Sequence, residues 1–299
     1  RSGDRELVDA LKPRLAALYD YFQTFTNEDG LLESLDSWIF VEWSKANSFV
    51  QDVSYPTNML YAAALSAAGK LYDEPDLLAQ SEQIRTVIRQ QSFDGEFFVD
   101  NAIRKDGALE ITRNRTEVCQ YFAFFFDVAT PQTHGALWRK LAHQFGPERN
   151  QTQAFPDIHP ANAFIGNYLR SELLSQNGHA PQIKKELVDF YLYMAEQTGT
   201  LWENVGASAS CNHGFASHVA QSLYRDVLGV HTVDTQGKTI HLKIADVDLD
   251  WCEGRLMTPQ GPVTVKWWKH NGEILYRADV PAGYVLEVDN LTSDRLSLR

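Results

Sequence analysis

From residue 4 to about residue 228 the apolar side chains recur at helical spacing. Val8, Leu11, Leu15, Leu18 and Phe22 step by 3, 4, 3 and 4, the stripe of a helix that buries one face. Residues 57–71 carry Met59, Leu60, Ala63, Ala64, Ala67 and Ala68, and their small side chains allow close approach of a neighbouring helix. Pro75 suits a first helical turn and is followed by Leu77, Leu78, Ile84, Val87 and Ile88. The spacing predicts further helices over 115–128, 132–145, 160–175, 181–197 and 213–228, about eight in all, arriving as short-looped pairs. No repeat of fixed period occurs, so a consensus solenoid is not expected.

After Gly229 the period changes from 3.6 to 2. Ile240, Leu242 and Ile244 alternate with His241 and Lys243, and Val263, Val265 and Trp267 alternate with Thr264 and Lys266. The runs 274–278 and 284–288 follow, each bounded by Gly, Pro or Asn. The pattern predicts a mainly α protein with a β tail: a helical domain over residues 1–229 and a small antiparallel β-sandwich over 230–299.

Between the helices lie long polar loops, at 34–54, 92–113, 146–159 and 198–212, of a length that is uncommon unless functional. They hold Trp38, Trp43, Phe49, Phe93, Phe97, Phe98, Phe155 and Trp202 beside several carboxylates. An aromatic face next to acids and amides suits a sugar, whose apolar face stacks while its hydroxyls hydrogen-bond. The charge balance narrows the partners further. A net charge of −12 repels phosphate backbones and anionic lipid, so neither a nucleic-acid nor a membrane-surface role is expected. No apolar run approaches the roughly 18–20 residues that span a bilayer. The first six residues lack the apolar stretch of a secretory leader, and localisation stays open.

Cys119, Cys211 and Cys252 are far apart and belong to no metal-ligand pattern, so each reads as a small apolar residue rather than half of a disulfide. Sequons occur at Asn114, Asn150 and Asn290 and decide nothing alone. No phosphate loop, dinucleotide fingerprint or nucleophile elbow is present, so no cofactor is expected. Asp246, Asp248 and Asp250 share one face of the tail but lack the rest of a calcium loop, and no metal site is expected there. Asp94-Gly95-Glu96 reads as an acidic turn.

The most informative stretch is Thr200-Leu201-Trp202-Glu203, followed by Asn212-His213 at the head of a helix that ends in Leu223-Tyr224-Arg225 and Gly229-Val230. This order of segments, then strands, then Val280-Pro281-Ala282-Gly283, resembles the α-L-rhamnosidases of glycoside hydrolase family 78. The resemblance implies an (α/α)6 barrel with a C-terminal β-sandwich and inverting hydrolysis of terminal α-L-rhamnosides. It implies Glu203 as the general base, with His213, Trp43, Glu42, Trp38, Trp202 and Asn212 around the sugar. In such a mechanism one carboxylic acid protonates the leaving oxygen while a carboxylate roughly 6.5–9.5 Å away activates water.

Two departures stand beside the resemblance. The segment between Glu203 and Asn212 is shorter than the family's, which puts the aglycone in doubt. No match to the family's general-acid motif is found, and about eight helices are four short of a full barrel. The chain is therefore expected to be the C-terminal part of a longer protein. The other readings are a substitute acid (Asp36, Glu42 or Asp52), a carbohydrate-binding module without an acid, or an (α/α)6 hydrolase acting on another sugar such as a uronate. For a uronate, Arg104, Lys105, Arg113 and Arg115 would supply the charge.

Overall fold

We describe residues 4–299 of a computed structural model of the chain, the side chain of Asn150 excepted. Residues 1–3 and the sequon at Asn150 lie outside the described residues. The chain divides into two compact units, Glu6–Leu173 with Glu203–Ser210, and Leu174–Trp202 with Cys211–Arg299. Secondary structure changes type after Val227, whereas the units part at Leu173. The last helices therefore belong with the strands.

The first unit is built from α1 (Glu6–Gln23), α2 (Tyr55–Tyr72), α3 (Pro75–Ser92), α4 (Glu117–Phe125), α5 (Gly135–Gln144), the single turn α6 (Arg149–Thr152) and the start of α7 (Gly166–Gln176). Each of these except α6 falls where the apolar spacing places a helix. The pair α2 and α3 shows why small residues matter: Ser81 Oγ donates to the Ala62 carbonyl at 2.6 Å, which requires the two backbones to lie close. Leu31, Met59, Leu65, Ile84, Ile88, Phe97, Phe98 and Val118 form one continuous core. Helix starts are closed by side chains, Ser54 at α2 and Thr116 at α4. Thr116 is itself held by Asp100, which accepts its N–H and its hydroxyl at 2.7 Å each.

Inside the loops sits a small sheet that the helical spacing does not predict, β1 (Val53–Ser54), β2 (Asn101–Lys105) and β3 (Ala108–Ile111), in that order. The hairpin β2–β3 turns on Asp106-Gly107, with φ of 49° and 83°. Two successive positive φ values are what a tight hairpin turn requires, and Asp-Gly adopts them at little cost.

The second unit contains α8 (Ala180–Glu186) and α9 (Tyr193–Thr198), joined through the π-helical stretch Leu187–Leu192, and α10 (His218–Ser222), which runs on into the π-helical stretch Leu223–Val227. Counted as continuous rods, with α6 set aside, the described residues hold eight helices. Seven strands follow: β4 (Val230–Asp234), β5 (Thr239–Ile244), β6 (Trp251–Thr258), β7 (Gly261–His270), β8 (Glu273–Asp279), β9 (Val285–Asn290) and β10 (Arg295–Leu298). They form a four-stranded sheet, β10-β8-β7-β6, and a three-stranded sheet, β4-β5-β9. Ile240 and Leu242 of β5 share a core with Val263 and Val265 of β7, so the two sheets pack face to face as a sandwich. Hairpin neighbours pair antiparallel, but β5–β9 and β8–β10 pair parallel. The chain leaves the three-stranded sheet after β5, builds β6 to β8, and returns to lie beside β5, which reverses the expected sense. Asp246 is taken up by Lys269 at 3.0 Å, and the Asp248 carbonyl accepts from Lys184 at 3.2 Å. None of the three cysteines forms a disulfide. Among the described residues no helix is long and apolar enough to cross a membrane, and no cluster of metal-binding side chains occurs.

Candidate functional site

Glu203–Ser210 is a short loop closed on itself and carried by the first unit. The Glu203 N–H donates to the Ser210 carbonyl at 2.9 Å, and the Ser210 N–H reaches the Glu203 carboxylate at 3.4 Å. With Trp43 and Ser44 the loop encloses an open pocket of about 490 Å³, lined by Trp43, Ser44, Glu203, Asn204, Ser208 and Ala209. Glu203 is the single carboxylate in that lining. Sequence reasoning had found Glu203 and Trp43 but not Ser44 or Asn204, although each adjoins a residue it had selected.

The other wall is an aromatic loop. The Trp43 ring lies 5.6 Å from Trp38 and 5.1 Å from Phe40, and Phe40 packs edge-on against Phe164 at 5.7 Å. Phe40 and Phe164 are the props; Trp38 and Trp43 keep 66% and 45% of their surface exposed. Rings held in place yet open to solvent are suited to stacking on a sugar face. Trp38 also borders a second pocket of about 480 Å³ that includes Asn47, Gln51 and Asp52. Asp52 is already occupied there, accepting the Arg104 N–H at 2.7 Å and the Ser34 hydroxyl at 3.3 Å. Asp36 is exposed.

Glu42 precedes Trp43 but is turned inward, with no exposed surface. Its Oε1 accepts the N–H of Gly166, the first residue of α7, at 2.6 Å, so the carboxyl closes the start of that helix. A Cβ on Gly166 would stand 2.9 Å from Glu42 Oε1 and 2.4 Å from the Ala161 side chain, so only glycine permits the contact. The Glu42 Oε2 is buried without a hydrogen-bond partner. Burial pushes this carboxyl up to about 7, against the pull of the Gly166 N–H, the Ser44 hydroxyl and the Asn162 N–H, and the charge of Glu117 adds to the rise. Glu117 is itself buried and fully engaged: it pairs with Arg149 at 2.9 Å and accepts Tyr121 Oη at 2.5 Å, Gly146 N at 2.9 Å and Ala161 N at 3.3 Å.

Asn162, which sequence reasoning did not single out, ties the two walls together. Its Nδ2 donates to the Trp43 carbonyl at 2.8 Å, and its Oδ1 accepts the Val205 N–H at 3.0 Å. The residues Trp202, Asn212 and His213 belong to the second unit. Trp202 is buried, donates to Thr198 Oγ1 at 2.8 Å and packs edge-on against Tyr193. His213 caps the turn Gly214–Ser217, its Nδ1 accepting the Phe215 N–H at 3.2 Å while its ring stacks on Phe215. Asn212 is exposed. The acidic turn at Asp94 is structural: Asp94 Oδ1 accepts the N–H groups of Glu96 and Phe97 at 2.9 Å, and Glu96 pairs with Lys140.

A helical domain followed by a two-sheet β-domain is a fold that known structures share. A GH78-family rhamnosidase of Bacillus sp. GL1 matches 99% of this chain over 32% of its own, with a TM-score of 0.81 and 18% identity. An α-L-rhamnosidase of Dictyoglumus thermophilum matches 96% of this chain over 32% of its own, with a TM-score of 0.65 and 14% identity. A rhamnosidase from Klebsiella oxytoca with rhamnose bound matches 76% over 43%, with a TM-score of 0.57 and 15% identity. No family model and no curated protein matches the sequence. The chain thus spans 32% to 43% of the length of these rhamnosidases, at identities that establish the fold alone.

Proposed function

We propose that this chain carries the base side of an α-L-rhamnosidase-type glycosidase site, with Glu203 activating water for inverting hydrolysis of a terminal α-L-rhamnoside. The observation that carries the reading is the pocket itself: Glu203 lines a cavity large enough for a monosaccharide, and the same lining holds an exposed, braced indole. The likeness to rhamnosidases across nearly the whole chain supports the same reading. In it, the Trp43 ring stacks on the apolar face of the sugar, and Ser44, Asn204 and Ser208 supply hydroxyl and amide partners. A water held by the Glu203 carboxylate loses its proton to that carboxylate as its oxygen attacks the anomeric carbon, on the face opposite the departing oxygen.

The leaving oxygen needs a proton donor some 6.5–9.5 Å away. Glu42 has the raised pKa of a general acid but no accessible surface, so it is assigned to holding α7 rather than to the chemistry. The donor is then a carboxyl from outside the pocket lining described above. Proton NMR of the first product formed from an aryl α-L-rhamnoside tests the reading: β-rhamnose appearing before mutarotation is expected, and α-rhamnose appearing first contradicts it.

One observation favours a second reading. With a single carboxylate in the lining, the pocket is also equipped to bind a sugar without cleaving it. Saturable rhamnose binding by calorimetry, with no release of rhamnose over days, would select that reading.

A further inference from the structure

We infer that Asn162 is a positioning residue that sets the distance between the two walls of the pocket. Its amide is the one side chain seen to bond to both of them among the described residues, donating to the Trp43 carbonyl at 2.8 Å and accepting the Val205 N–H at 3.0 Å. Val205 lies two residues beyond Glu203, and Trp43 lies 119 positions before Asn162 in sequence, so one planar group fixes two segments that nothing local would bring together. The amide cannot drift, because Asn162 is only 4% exposed and its Oδ1 also accepts the Ala163 N–H at 2.7 Å. Its own carbonyl accepts the Asn167 N–H at 3.1 Å, which anchors it to the first turn of α7. A carboxamide is needed here: one wall offers an acceptor and the other a donor, and only an amide answers both from one rigid plane. Asn162 acts through Glu203 and Trp43 and does not line the pocket, and this assignment rests on Glu203 being the base.

The test compares Asn162→Ala and Asn162→Asp with the parent 299-residue chain. In Asn162→Ala the amides of residues 203–210 should exchange with deuterium at least about tenfold faster, while those of α2 keep their protection. With an aryl α-L-rhamnoside, kcat should fall about thirtyfold or more in that variant, because a displaced base costs turnover steeply. Asn162→Asp keeps the oxygen that accepts from Val205 and should hold the exchange at Val205 within about threefold of the parent. Unchanged exchange over 203–210 in Asn162→Ala would overturn the assignment. So would loss of protection spread equally over the whole first unit, which would mark Asn162 as a general structural residue. Should the parent chain turn over no rhamnoside, it holds no complete site, and the exchange arm alone decides the role of Asn162. Should Asn162→Ala fail to fold, retained or lost protection at Val205 in Asn162→Asp decides it.

Discussion

Two carboxylates near one pocket live under opposite rules. Glu203 stands on a loop at the rim, partly exposed and bonded weakly to Ser210, so water and a ligand can reach it. Glu42, one residue from the rim tryptophan, is wholly enclosed, and its carboxyl is pushed up to about 7 by burial. A buried carboxylate without a compensating cation keeps its proton to higher pH, because burial penalises its charged form. Glu117, equally buried, avoids that outcome by pairing with Arg149 and accepting three further hydrogen bonds. A carboxylate can therefore stand open at a rim, cap a helix or anchor a cation within one unit, and partners and exposure decide which.

The contrast can be broken by substitution, beginning with the anchor. Glu117→Gln leaves the Arg149 guanidinium buried without its counter-ion, and urea unfolding should show a loss of about 3–5 kcal/mol. A loss under about 1 kcal/mol would mean that the pair is not the anchor described. Gly166→Ala forces a methyl group against Glu42 and Ala161 and should cost about 1–3 kcal/mol by the same measurement.

Glu42 sharpens the comparison through pH. Its folded value is raised to about 7 from the usual 4.5, so the folded protein holds a proton that the unfolded chain releases. The stability this group contributes is full below 4.5 and is lost as pH rises toward 7. Asp100, buried and likewise raised to about 7, acts in the same sense. Groups held below their usual range act in the opposite sense: Glu33, bonded to Arg104, at lower pH, and His134 and His231, which burial lowers, within the same window. Urea midpoints measured from pH 5 to 8 should therefore decline less steeply in Glu42→Gln than in the parent. Identical slopes would contradict a neutral buried Glu42.

At the rim the effects shrink. Trp43→Ala should weaken rhamnose binding by about tenfold in calorimetry while the fold is kept, as one stacking surface is lost. Lys105→Ala, which removes an ion pair of two half-exposed side chains, should change stability by less than about 0.5 kcal/mol.

What could be read beforehand follows the same division. Periodicity reports which face of an element is buried, and so the helices and most tail strands were legible, including the turn to period 2 after Gly229. The β2–β3 hairpin was written in Asp106-Gly107 but lay hidden in a stretch taken for loop. The parallel pairings of β9 and β10 were not legible, because strand sense depends on where the chain returns and not on its alternation. Trp43 and Glu203, selected by residue type and neighbouring motif, line one pocket. Type could not tell that Glu42 and Trp202 are buried, nor that a lone Asn162 bridges residues 43 and 205. Long-range contacts of that kind leave no local trace.

The most direct measurement is release of nitrophenol from an aryl α-L-rhamnoside by the 299-residue chain and by Glu203→Gln side by side. Turnover in the parent that falls by about a thousandfold in the variant, with the melting transition unchanged, is the expected result. Equal turnover in both would contradict the assignment of Glu203 as the base, and no turnover in either would contradict a complete site in this chain.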